Sequence, residues 1–200
     1  FVVCDAQPDT VGPKAVFACI ANQTYVARRG VEDAAYIDEG QIQGIWINQQ
    51  EIGRLPTSGE AWESMLEAAD DHWDRPTIAD QNSKDDTDTL AGALVAVRLN
   101  DEARRNKVRD HLMELVRSHP YSNVLALARQ LPSYVIAADL VGLDRTQRAA
   151  FEGFLHEVMG RKMKGHSGGD DLRSTALRST NNWGTMSRAA MAASLTYLGD

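Results

Sequence analysis

LPTSGEAWESMLEAADDHW, residues 55–73, is where the chain changes character. Trp62, Met65, Leu66 and Ala69 fall at i, i+3, i+4 and i+7, which is one face of a helix. Thr57 or Ser58 is placed to cap it, and acidic residues follow in the first turn. Upstream the pattern is different. FVVC (1–4), AVFACI (15–20), TYVARR (24–29), AAYI (34–37) and GIWI (44–47) are short, rich in β-branched and aromatic residues, and separated by Gly, Pro, Asp and Asn. They predict short strands or extended segments. Residues 1–50 are therefore expected to form a small β-rich N-terminal segment, and 51–200 a helical domain.

Downstream the helical pattern repeats. TDTLAGALVAVRLN (87–100) has a wide apolar surface, with Asp86 or Asp88 available as its cap. DEARRNKVRDHLMELVRSH (101–119) puts Val108, Leu112, Leu115 and Val116 on one face, with Arg104, Lys107 and Arg117 largely on the other. SNVLALARQ (122–130) reads equally as helix or extended chain. In LPSYVIAADLVGL (131–143), Pro132 suits the first turn of a new apolar helix. DRTQRAAFEGFLHEVMG (144–160) opens on Asp144 as a cap and closes on Gly160. A long loop, 161–180, separates it from a last helix over 183–198. About six helices joined mostly by short connections predict a bundle, a solenoid or an α/α barrel. No sequence repeat is visible, which disfavours a regular solenoid.

No apolar run approaches the ~20 residues that span a bilayer. The first residue is Phe1, so the lack of a leader there carries no information on export. The net charge of −7 argues against a nucleic-acid binder. That charge is uneven. Between Arg161 and Ala190 six basic residues face only Asp170 and Asp171, a net +4. A basic segment in an acidic protein suggests a local anion site; a solvated loop is the alternative. Cys4 and Cys19 would be able to pair in an oxidising compartment, a bond worth about 3 kcal/mol.

Metal chemistry has no motif here: the five histidines include no HExxH and no close pair on a helix face, and there is no CxxC. There is also no P-loop and no GxGxxG. GHSGG (165–169) lies between helices, not after the strand that a nucleophile elbow needs. The most informative stretch is NNWG, 181–184, directly before the last apolar helix. One Asn suffices as a cap. A second can turn its amide outward beside the free N–H groups and the positive end of the helix dipole, an arrangement suited to a carboxylate. Trp183 would add a flat surface for a sugar ring. A doubly capped helix with a core Trp is the competing reading.

PTSGEAWESMLEAAD, LARQLPSYVIAADLVGL and NNWGTMSRAAMAASLTYLGD together resemble the alginate-lyase-type polysaccharide lyases over roughly residues 45–200. The resemblance implies a mainly α fold: helical hairpins of an incomplete α/α toroid that continues beyond 200. It implies cleavage of a uronic-acid glycan by β-elimination, with no cofactor and no metal. In one branch an Asn-His pair stands at this helix start, the Asn binding the uronate carboxylate. Asn182-Trp183 stands here, so the neutralising Asn carries over and the histidine does not. A nearer branch reads Asn-Asn-Trp-Gly-Thr-His, and this chain has Met186 at the last position.

The chemistry sets the candidate residues. The proton α to a uronate carboxylate becomes acidic once amide donors and an Arg stabilise the developing dianion. A His or Tyr then takes the proton. Asn181, Asn182, His166 and Tyr134 are the candidate catalytic residues. Arg129, Gln130, Trp183 and Arg178 are the candidate substrate contacts. The expected partner is an acidic polysaccharide, with neither nucleic acid nor membrane, in a secreted or periplasmic setting. The alternative is a non-catalytic helical domain that binds acidic glycan or serves in assembly. An α/α-barrel glycoside hydrolase would need two carboxylates facing one cleft. The Asp85, Asp86 and Asp88 cluster reads instead as loop and cap.

Overall fold

The computed structural model describes residues 42–71, 73, 75–118, 122–165 and 170–199. Among them are eight α-helices and no strand. They are α1 (Gln49–Gly53), α2 (Glu60–Asp70), α3 (Asp85–Leu99), α4 (Glu102–Ser118), α5 (Val124–Val141), α6 (Arg145–Gly160), α7 (Leu172–Arg178) and α8 (Asn182–Leu198). Most of the expected β-rich segment, residues 1–41, lies outside the described residues, as do Cys4 and Cys19. GIWI at 44–47 is described and is not a strand. Its backbone finds another partner: the Asp139 carboxylate accepts from the N–H groups of Gln43, Gly44 and Ile45 at 2.7, 3.0 and 3.2 Å. A charged acceptor thus takes the place of a neighbouring strand.

Local chemistry sets most helix starts. Asn48, Asp144 and Asp171 each close a capping box, with Glu51, Gln147 and Ser174 respectively. Asn123 and Asn181 cap α5 and α8. Two expected caps are displaced. Gly59, not Thr57 or Ser58, precedes α2, at φ 95° and with no side-chain bond. α3 begins at Asp85, so Asp85, Asp86 and Asp88 all sit within its first turn rather than ahead of it. Pro132 does not start a helix. It lies inside α5, which runs unbroken from the Asn123 cap and absorbs the segment that read as helix or extended chain. The 161–180 loop also contains the short helix α7.

The helices form two layers. α5 packs on α3 to one side and on α8 to the other, while α4 packs on α3, α5 and α6. Arg109 of α4 donates to the carbonyls of Val141 and Gly142 at the end of α5, at 2.7 and 2.8 Å. Tyr197, near the end of α8, meets Phe151 and Arg148 of α6, just beyond the end of α5. α3, α5 and α8 therefore run in one direction, and α4 and α6 run back. α5 is the centre of the core: Leu127, Leu131, Tyr134, Val135 and Leu140 have no exposed surface. Each such leucine contributes roughly 2 kcal/mol of apolar burial. By length and composition alone α5 would cross a bilayer, with mean hydropathy 1.4, but 72% of it is buried against its neighbours as a core helix.

Candidate functional site

The start of α8 divides its two asparagines. Asn181 is extended, and its side-chain oxygen accepts the N–H of Trp183 at 3.1 Å. Asn182, the next residue, is exposed, and its side chain has no hydrogen bond to any described residue. Trp183 is half-buried and packs on the core, so only part of its surface meets solvent. Gly184 is obligatory for this geometry. A Cβ there would stand 1.9 Å from the Ser179 carbonyl oxygen, which folds back over the first turn. That same oxygen accepts from Arg188 Nη2 at 2.8 Å. The bond pins the Arg188 side chain toward the link between α7 and α8. Arg178 is the last, exposed residue of α7.

The basic segment is partly neutralised. Lys162 bonds Asp170 and Asp171 at 2.7 and 2.8 Å, and the Asp170 bond chiefly holds its ammonium above the usual lysine range. Met163 N–H donates to the Asp170 carbonyl, and Val124 N–H to the Lys164 carbonyl. The segment is thus fastened at its base to α5 and α7. His166 lies outside the described residues.

Sequence placed Arg129 and Gln130 just before the helix that carries Tyr134; the structure has all three on α5, with different surroundings. Arg129 is exposed. Gln130 is 1% exposed and donates its amide to the Asp80 carbonyl. Tyr134 is fully buried, its hydroxyl donating to Asp85 Oδ2 at 2.6 Å. Burial first, then the Asp85 charge, drives the Tyr134 phenol far above its ordinary pKa, so it stays protonated. Neither residue meets solvent as a substrate contact would.

Around Tyr134 the structure gathers His111 and Ser133, which sequence left without roles, with Asp85 and Asp86, which it read as loop and cap. His111 Nε2 reaches the same Asp85 oxygen at 2.8 Å. Ser133 donates to Asp86 Oδ2 at 2.9 Å. Burial raises the Asp86 carboxyl above the usual range, against the lowering effect of that bond. Asp85 Oδ1 and Gln130 Oε1 are buried without a hydrogen-bond partner among the described residues. Outside this cluster the Trp73 ring stands edge-on to His111, centroids 5.2 Å apart. It occupies a notch left by Gly92, where a Cβ would come within 2.4 Å of the indole. No sequence spacing marks this cluster, because Asp85, His111 and Tyr134 come from three helices.

No group of three or more metal-ligating side chains suited to an ion occurs among the described residues. No protein-family model, curated protein or solved structure matches this chain.

Proposed function

We propose that this chain is part of a polysaccharide lyase that cleaves a uronic-acid glycan by β-elimination, its two helix layers forming hairpins of an α/α toroid. The observation that carries the reading is the division at α8: Asn181 is used as the cap, and Asn182 stands exposed beside it. An amide at the positive end of a 17-residue helix is suited to a uronate carboxylate. In the reaction Asn182 and the helix end stabilise the charge that builds on that carboxylate as the α-proton leaves. Arg178 and Arg188 add positive charge around the same helix start. Tyr134 has no part in this proposal, because it is sealed in the core and holds its proton. His166 remains the proposed proton acceptor.

The test is the ultraviolet absorbance of the conjugated unsaturated uronate that elimination forms, measured with full-length protein on alginate, glucuronan and glycosaminoglycans. Asn182→Ala should lower turnover by roughly 10²-fold or more, as loss of a transition-state donor does. Unchanged turnover in that variant would remove the local support for the reading. A second reading, a helical domain that binds acidic glycan without cutting it, is favoured by the burial of Tyr134, one of only two candidate proton carriers. Binding of these polymers with no absorbance change would select it.

A further inference from the structure

A groove of about 610 Å³ runs along α4, bounded by Trp73 at its edge. Ala103, Lys107, Asp110, Glu114 and Arg117 share one face of the helix, so the groove extends about 21 Å at 1.5 Å per residue. Its depth ends on His111, whose side chain is 9% exposed. That histidine is held from behind. Asp85, 2% exposed, accepts from His111 Nε2 and from the Tyr134 hydroxyl on one oxygen. Asp85 thus engages Nε2, and Nδ1 is the ring nitrogen left for the groove. Nδ1 has no partner among the described residues. Trp73, seated against Gly92 and covered by the Lys107 ammonium at 3.9 Å, fixes the adjoining wall.

The lining selects a class of ligand. Two cations (Lys107, Arg117) flank two carboxylates (Asp110, Glu114) along the face, and His111 Nδ1 adds a further polar atom at the base. A polyanion would meet carboxylates along its length. An apolar chain would strip water from four charged groups without replacing their hydrogen bonds. Hydroxyl groups both donate and accept, and satisfy such a row in either sense. We propose that this groove binds a neutral oligosaccharide, with a sugar hydroxyl hydrogen-bonded to His111 Nδ1, at a site distinct from the start of α8.

The experiment is a titration of ¹⁵N-labelled full chain with cellohexaose, mannohexaose, xylohexaose and a hexauronate, followed at the His111 imidazole nitrogens. The expected result is that a neutral hexasaccharide binds and shifts Nδ1, and that the hexauronate does not. Asn106→Trp alters an exposed groove position and leaves the buried cluster intact. It should weaken that binding by at least about tenfold. The proposal is overturned if no neutral hexasaccharide shifts His111, if Asn106→Trp binds equally well, or if the hexauronate is the ligand that shifts it. The readout is at His111 and not at unsaturated product, so its failure and a failure of the elimination reading are separately visible.

Discussion

Asp85 and Asn181 both stand at the start of a long helix, and each offers an oxygen to a hydrogen-bond donor. Asn181 bonds the N–H two residues on and leaves its neighbour in water. Asp85 turns away from its own helix end and bonds residues 26 and 49 positions distant, inside the core. The first is local and replaceable by any good cap. The second is a long-range polar junction whose members depend on one another, because buried donors without acceptors are costly. The difference separates a position free to meet a ligand from one that holds three helices in place.

The largest effect should come from the buried side. Asp85→Ala leaves the Tyr134 hydroxyl only its longer bonds to the Thr77 backbone and leaves His111 Nε2 without a partner among the described residues, and should cost about 3 kcal/mol in urea unfolding. A loss under about 1 kcal/mol would mean the junction is hydrated, and the contrast with α8 would collapse.

Gly184→Ala comes next. Alanine gains about 1 kcal/mol in helix propensity. The 1.9 Å approach to a backbone oxygen outweighs that, so a net loss of about 2 kcal/mol is expected from thermal or urea melting. A stabilised variant would show that the Ser179 link does not lie over α8.

Asn181→Ala should cost roughly 1 kcal/mol, and Asn182→Ala less than about 0.5 kcal/mol. Equal losses from the two would make both asparagines structural and erase the division on which the proposed carboxylate contact rests.

The smallest expected effect is a pH dependence. The Asp86 carboxyl titrates higher folded than unfolded. It costs nothing while protonated in both states, and the cost appears as pH rises through the window between the two pKa values. Asp86→Asn should therefore raise the melting temperature slightly at neutral pH and change nothing at pH about 3. Its carbonyl can still accept from Ser133. A gain present equally at both pH values would show that burial of the charge is not the cause.

Much of this was legible in the residues because it is local. The apolar period in 60–70 and the Asp144 cap involve neighbours within one or two turns, and the structure has both. Pro132 misled for a physical reason. A proline suits a first turn; inside a helix it removes a backbone bond and crowds the carbonyl four residues back, and the packing of α5 against α3, α4, α7 and α8 outweighs that cost. GIWI misled because β-branched and aromatic residues also suit a half-buried bend, and here Gly44 takes φ 80° and the chain bends after it. Whether such a chain pairs with a strand or with a carboxylate depends on Asp139, more than ninety residues away.

The sequence by itself determined that the chain is mainly helical after residue 50, where several helices begin and end, and that a capped helix start carries a second, spare asparagine. Periodicity and capping record what each residue does within its own few turns. Only the tertiary structure decided that Tyr134 and Gln130 are sealed away while Asn182 is open, and that Asp85, His111 and Tyr134 meet. A helical pattern shows which face is apolar but not which helix will cover it, so the company of a buried polar group is settled only when the helices pack.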